Sequence, residues 1–471
     1  MTEAKKIAQN TVIQVLGKAL TIALALIGFG FITRYLGQEG FGYFSTIYAF
    51  LTIFGILIDL GLQMTTTKLI SDPTNDESQI LSNALTIRLI ASIIFLGIAP
   101  LIALFFPYPK IIKTGIALAA FGFIFSSLTS TLTSLFQKHL IMYKTVIADA
   151  LAKIVYLGII ISAIYFNLGL LGIVLAVTAD SVFVFSVLLF FASRQVSLRL
   201  RLEIAVWKKI LAVTWPIALT IALNLVYFKG DILIMSLLRT QTEVGLYGAP
   251  YKMLEVLIGV AYLFLGLILP LLSAAAAAKN HEKLKIIVQS TFDFLVVMTI
   301  PMIVGGYFLG VPLMALMAGE DFIISGEILK ILLFATGAIY LAGLFGYVVV
   351  AIGKQKEMIK FYIINAVLSI AGYLYFIPKY SFWGAAWMTV FTEMFILVTA
   401  GYVMARNINF FPRLKLFYKS ILASLIMAIP LYLLPNLNFA FAVCLGALVY
   451  FSALYLLRGF DKRLILEMIK K

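Results

Sequence analysis

The chain predicts an all-α polytopic membrane protein of about fourteen transmembrane helices, two six-helix lobes followed by two C-terminal helices. Three observations carry that prediction. Of 471 residues, 63% are hydrophobic and only 12% charged, against roughly 45 to 50% and 25% in ordinary soluble domains, so no water-soluble fold could hide the apolar surface. Apolar runs of about 18 to 28 residues recur from Thr11 to Leu457, long enough at about 1.5 Å per residue to cross a hydrocarbon core of about 30 Å. The Lys and Arg residues collect in alternate connections between those runs.

The first six spans read Thr11 to Leu36, Phe44 to Thr67, Asn83 to Phe106, Gly115 to Phe136, Thr145 to Phe166 and Leu170 to Ala192. The next six read Ile210 to Leu237, Leu246 to Ser273, Ser290 to Val311, Ile328 to Ile352, Phe361 to Ile377 and Phe382 to Met404; Phe417 to Leu434 and Phe439 to Leu457 follow. The expected organisation is an N-terminal lobe over 1–193, an interfacial linker over 194–209, a second lobe over 210–405, and two extra helices with a basic tail over 406–471. The first apolar run is too long for a cleavable leader and is expected to remain.

An even number of spans puts both termini on one side. Of the 36 Lys and Arg residues, about 26 fall on that side, about 5 on the other and about 5 within spans, the asymmetry of the positive-inside rule. Both termini are therefore expected in the cytoplasm and the chain in the cytoplasmic (inner) cell membrane. The basic, Leu-alternating stretch Ser193 to Lys209 reads as a connector on the cytoplasmic leaflet, and Phe460 to Lys471 resembles it; topology anchoring is the first reading of both.

The net charge of +15 is spread among loops rather than gathered in a stripe, which argues against a nucleic-acid partner. A single cysteine, Cys444, and two histidines, His139 and His281, are too few for a disulfide framework, a zinc site or a haem site. No cofactor and no metal is expected.

The halves repeat locally: Gly42, Phe44, Ser45 and Tyr48 at the start of the second span match Gly245, Tyr247, Gly248 and Tyr251 at the start of the eighth. Parallel repeats are a common transporter plan.

The run Arg34-Tyr35-Leu36-Gly37-Gln38-Glu39-Gly40-Phe41-Gly42, continuing to Asp59-Leu60-Gly61-Leu62, resembles the opening of bacterial and archaeal polysaccharide flippases, in the superfamily that also holds multidrug extruders and lipid II flippases. Asp231-Ile232-Leu233-Ile234-Met235 and Glu243-Val244-Gly245-Leu246-Tyr247-Gly248-Ala249-Pro250-Tyr251-Lys252 are similar to that family's start of the second lobe. The resemblance implies a fold like that of the multidrug and toxin extruders (MATE-like), with two lobes around a cavity open to each side in turn. It also implies a substrate, an oligosaccharide linked to a polyprenyl-diphosphate carrier. The first helix lacks the run of arginines that would point to lipid II.

Charges kept within spans cost roughly 2.5 to 3.5 kcal/mol each on insertion scales, so they should face a wet cavity, pair, or reach the headgroups. Lys18 and Lys153, about 10 to 14 Å from the cytoplasmic end by helical rise, are candidates to receive the carrier diphosphate. Lys229 and Lys252, nearer the outer face, are candidates for the outward side. Asp149 with Lys153, and Lys252 with Glu255, are spaced to pair on one helical face. Asp180 and Glu393 have no partner on their own helix and are candidates for coupling to H+ or Na+, with Asp59 and Asp231 as further candidates.

Two alternatives share the fold, a cation-coupled multidrug extruder and a lipid II flippase. The cavity lysines favour a diphosphate over an organic cation. A membrane glycan polymerase or transferase ranks lower, because the longest expected outer connection, Pro312 to Glu327, holds only Glu320, Asp321 and Glu327. The chain is not expected to be an enzyme; its expected partners are the lipid-linked oligosaccharide and membrane lipids.

Overall fold

A computed structural model describes residues 3–435 and 437–459, with side chains described for residue 14, for 16–215 and from 229 onward within those limits. The basic segment Phe460 to Lys471 lies outside the described residues. Among the described residues every regular element is helical, as lipid requires of a chain whose backbone must satisfy its own hydrogen bonds. Among the described residues eleven stretches are long and apolar enough to cross a membrane.

The chain divides into two compact units, 1–248 and 249–471. The first holds α1 (Glu3–Asp59), α2 (Leu62–Ser71), α3 (Glu77–Leu104), α4 (Lys110–Lys138), α5 (Tyr143–Tyr165), α6 (Gly169–Ser193), α7 (Ile204–Leu238) and the first turns of α8 (Gln241–Ala277). The second holds the rest of α8, then α9 (His281–Ala318), α10 (Ile323–Ala351), α11 (Ile359–Ile408), α12 (Lys415–Leu433) and α13 (Phe439–Leu456).

Helix α1 is two rods joined at Gly37, whose φ of 64° takes the backbone into the left-handed region, where glycine alone adds no strain. Helix α11 bends likewise at Ser381, φ 52°. The second rod of α1 is then interrupted at Leu60 and Gly61, φ 36° and 86°, so the span read as Phe44 to Thr67 breaks just after Asp59. Side-chain caps open several helices: Asp76 accepts from Gln79 N–H at 3.0 Å, Asn280 from Lys283 N–H at 2.9 Å, and Asn438 from Ala440 N–H at 3.0 Å, each satisfying an orphan donor.

One expected loop is absent. Pro312 lies inside α9, which runs to Ala318 before Gly319, φ 105°, ends it; a single 3₁₀ turn, Glu320–Phe322, leads into α10. The connection read as Pro312 to Glu327 is therefore mostly helix, because proline is tolerated in membrane helices where neighbours cover the lost hydrogen bond.

The linker also differs from a free surface segment. Residues 194–203 form no helix, and this irregular segment is hydrogen-bonded to the start of α3. Arg199 N–H donates to Ser82 Oγ at 3.3 Å, Arg201 N–H to Thr86 Oγ1 at 3.0 Å and Glu203 N–H to Asn83 Oδ1 at 3.0 Å. Trp207 Nε1 donates to that same Asn83 oxygen at 3.0 Å, and Gln79 donates to the Glu203 carboxylate. Helix α7 is thereby tied to the N-terminal helices.

Within the first unit the two repeated segments cross each other reciprocally. A Cβ on Gly42 would collide with the Gln241 carbonyl, a Cβ on Gly245 with the Gln38 carbonyl, and a Cβ on Gly248 with the Ser45 hydroxyl. Gly42 and Gly245 each sit one turn past the glutamine of their own segment, so the contact is self-complementary, as at an isologous interface. Thr46 Oγ1 donates to Gln241 Oε1 at 2.8 Å and fixes the register. Between α3 and α4, buried Tyr108 shares a 2.8 Å hydrogen bond with Ser236 of α7.

Two outcomes follow for stability in detergent. Gly42→Ala and Gly245→Ala force a methyl onto backbone that cannot swing away, so each should lower stability by about 1 to 3 kcal/mol. Gly97→Ala, where nothing lies within 4 Å, should be neutral or slightly stabilising in thermal melts; equal losses at all three positions would refute the packing role. Burial raises the Tyr108 pKa from 10.0 to about 12. A raised folded-state pKa means stability intact below about pH 10 and lost between about pH 10 and 12, so Tyr108→Phe should flatten the alkaline fall of the melting temperature across that window.

Candidate functional site

Halfway along α5 and α6, the first unit buries a cluster of charged and phenolic groups. Lys153 lies about 15 Å by helical rise from the start of α5, and Asp180 is about as deep in α6. Their side chains meet at 2.7 Å, 21% and 14% exposed. The Lys153 ammonium also sits 4.9 Å from the centre of the Tyr156 ring, a distance at which the ring's negative face attracts a cation. The pairing differs from the spacing rule, which put Lys153 with Asp149: the ammonium reaches across to the neighbouring helix, and Asp180, which lacks a partner on α6, finds one on α5.

Lys153 engages Oδ2 of Asp180; the other oxygen, Oδ1, is buried with no hydrogen-bond partner. The hydroxyl of Tyr48, close enough to Asp180 to feel its charge, is buried and unpartnered as well. Leaving a buried polar atom unsatisfied costs about 1 to 3 kcal/mol, so two such atoms beside one ion pair mark a place prepared for something further. Thr178 Oγ1, two positions before Asp180 and so on another face of α6, is also buried without a partner.

Lys18 is exposed on α1 and acts electrostatically on Asp149, which also feels Lys153 and Asp180. Close approach makes this possible, since Gly17 faces Val146 of α5 with no room for a side chain. The structure thus brings Lys18, Asp149, Lys153 and Asp180 into one neighbourhood.

Asp59 has a different setting. It forms an ion pair with Arg88 of α3, whose side chain is wholly buried and whose other guanidinium nitrogen donates to the Ser127 carbonyl at 2.8 Å. Asp231 is fully buried, accepting from the Tyr247 hydroxyl at 2.6 Å and from the Ile232 N–H at 2.7 Å. Lys229 is half-buried and stands two positions before Asp231.

In the second unit Lys252 pairs with Glu255 at 2.9 Å and is 55% exposed. Glu393 is buried on the second rod of α11 and acts electrostatically on Tyr262 and Tyr362. Tyr262 and Tyr347 pack edge to face at 6.2 Å.

Tyr48, Tyr156 and Arg88 were not singled out by sequence reasoning. Tyr48 alone carried a signal, as a member of the repeated Gly-Phe-Ser-Tyr pattern.

A profile of the family described as "Polysaccharide biosynthesis protein" matches residues 7–276. The chain belongs to that family. The match takes in the first unit from residue 7 onward and thus every residue of the Lys153–Asp180 cluster. A relative in Shigella dysenteriae, described as "Putative O-antigen transporter", is 23% identical over 386 residues, 78% of this chain and 92% of its own. Among solved structures, the lipid II flippase MurJ in an inward closed conformation superposes with a TM-score of 0.76 at 17% identity, covering 95% of this chain and 98% of its own. A Vibrio cholerae MATE transporter gives 0.60 at 15%, covering 86% and 97%. These likenesses show a MATE-like fold for this member of the polysaccharide biosynthesis family.

The Asp59–Arg88 pair is expected to hold the first unit together. Removing one partner of a buried pair is costly because the other charge stays behind; with Asp59 partly solvated, Asp59→Ala should cost about 2 to 4 kcal/mol. The double variant Asp59→Ala with Arg88→Met should regain most of that loss in thermal unfolding. If the double variant melts no higher than the single, the pair has no such role.

Proposed function

We propose that the chain is a flippase that carries a polyprenyl-diphosphate-linked oligosaccharide across the cytoplasmic membrane for polysaccharide biosynthesis, by exposing its site to one leaflet and then the other. Family membership supports the substrate class, since polymers of this kind are built from units attached to a lipid carrier. The observation that carries the mechanism is the Lys153–Asp180 pair with its unfilled oxygen.

A diphosphate is the part of the carrier that oil excludes most strongly, whereas the polyprenyl tail is at home there. An ammonium already neutralised by Asp180 offers little to an anion, so the diphosphate must displace the carboxylate. Displacement leaves Asp180 without its counter-charge in a low-dielectric site, and uptake of a proton on Oδ1 or Oδ2 is the least costly response. Substrate binding and proton binding at Asp180 therefore assist each other, and release of the diphosphate re-forms the ion pair. Lys18, exposed and close to Asp149, serves as the first receiver of the same charge on the cytoplasmic side. The reaction needs no bond making or breaking, so the chain acts as a transporter and not as an enzyme. Lys229 and Lys252 are assigned to the opposite side of the passage, with Asp231 and Glu393 available for ion binding. Both termini are placed in the cytoplasm.

One observation favours a second reading. Glu393 near Tyr262 and Tyr362 is an acid with aromatic neighbours, the set that suits an organic cation, as a multidrug extruder of this fold would need.

Complementation of a strain lacking the gene separates the two, with surface polymer and intracellular lipid-linked precursor both measured. Lys153→Ala should cut polymer output about tenfold or more, through loss of a charge-assisted contact, while precursor accumulates; Lys153→Arg should retain more. Asp180→Asn should transport independently of an imposed pH gradient. Full output from a normally expressed Lys153→Ala protein, or drug sensitivity with polymer unchanged on gene deletion, would overturn the flippase reading.

A further inference from the structure

At one end of the C-terminal unit α8, α10 and α11 finish where α9 begins, and the turns between them enclose a cavity of about 460 Å³. Ligand pockets commonly span about 300 to 1,000 Å³. The polar residues lining this one are Lys279, Lys354, His281, Asn280, Asn407 and Ser273, and none of the lining residues is an acid. We propose that this cavity is a binding site for a phosphate-bearing ligand, separate from the transport site of the first unit.

The charges around it support an anion. The nearby acids are engaged: Glu357 lies 3.4 Å from Lys354 and accepts from the Asn407 amide at 3.1 Å, and Glu282 pairs with Lys285 at 3.2 Å. Lys279 and His281 make no ion pair among the described residues. Of the three helices that end here, α8 and α10 bring last carbonyls that could have drawn a cation instead. Those carbonyls are closed off by C-terminal caps. Lys279 N–H donates to Ala276 O at 3.0 Å and Asn280 N–H to Ala275 O at 3.0 Å, while Gly353 N–H donates to Val350 O at 3.0 Å and Lys354 N–H to Val349 O at 2.9 Å. At the start of α9 the Asn280 side chain caps Lys283 N–H, so what the cavity offers an anion is the ammonium groups of Lys279 and Lys354 together with the positive end of the α9 dipole.

The two caps also differ in a way that yields a clean variant. Both put a left-handed residue just past the helix, glycine at 353 in α10 and lysine at 279 in α8, φ 73° and 52°. Glycine is the favoured residue there. Lys279→Gly therefore removes the ammonium and eases the backbone at once, so lost binding cannot be blamed on lost folding.

Inorganic pyrophosphate is the probe, titrated calorimetrically into the purified full chain in nanodiscs of neutral phosphatidylcholine, with citrate at matched ionic strength as control. Every protein carries Lys18→Ala and Lys153→Ala to silence the transport site. Saturable pyrophosphate binding is expected, weakened about tenfold or more in Lys279→Gly with Lys354→Ala, while the melting temperature of the Lys279→Gly protein is unchanged or higher. Repetition in phosphatidylglycerol nanodiscs identifies the natural source. Binding abolished there assigns the site to a lipid headgroup, and binding unchanged assigns it to a soluble phosphate compound. No saturable binding in the neutral discs, equal binding of citrate, or equal affinity in the Lys279→Gly/Lys354→Ala protein would overturn the proposal.

Discussion

Charge in hydrocarbon must be answered by opposite charge, by hydrogen bonds or by water, and the arrangement of the first unit follows from that demand. Taking an ion out of water costs several kcal/mol even after the protein relaxes. Arg88, wholly buried, is held by Asp59 and by the Ser127 carbonyl. Lys153 and Asp180 answer each other from adjacent helices. The two pairs differ in what is left over. Both guanidinium ends of Arg88 are occupied, and only its Nε lacks a partner, whereas the Asp180 carboxylate keeps a whole oxygen unsatisfied beside the unpartnered Tyr48 hydroxyl. The first pair reads as a fastening between α1 and α3, the second as a site.

Much of this was legible in the sequence. Helical spans announce themselves because a bilayer admits few alternatives, so composition and run length suffice for the class, and the Arg34 to Gly42 run pointed to the polysaccharide family. Pairing was harder to see. Spacing along one helix suggested Lys153 with Asp149, yet nothing in a linear chain says which face of α5 meets α6, and the ammonium crosses to Asp180. Asp59 was noticed without Arg88 for the same reason. The linker hid its role differently: its Arg and Leu residues look like membrane-surface chemistry, but the backbone N–H groups of Arg199, Arg201 and Glu203 do the holding, and backbone donors have no sequence signature.

The family-like motifs turn out to mark packing as much as chemistry. Gly42 and Gly245 are small because each lies against a carbonyl of the other repeat's segment, and a self-complementary crossing needs the same small residue at both matching positions. That accounts for the repetition without requiring Gly42 or Gly245 to touch a substrate. Tyr48 belongs to the same pattern but keeps a buried, unpartnered hydroxyl within reach of the Asp180 charge, so one short repeat bears on both the close crossing and the surroundings of the site.

The tie between the linker and α3 bears on how such a site could change the leaflet it faces. Helix α7 cannot move its linker end independently of α3 without breaking the bonds to Ser82, Thr86 and Asn83, and Asn83 alone holds both the Glu203 N–H and the Trp207 indole. At its far end α7 is held again, through Ser236 and Tyr108. A helix fastened at both ends to the same unit travels with that unit. Any displacement that opens the Lys153–Asp180 site must then either carry α7 along as part of a rigid body or bend it between the two fastenings, and in the proposed mechanism it is the exchange of diphosphate for carboxylate at Lys153 that would supply the change in charge to which such a body responds.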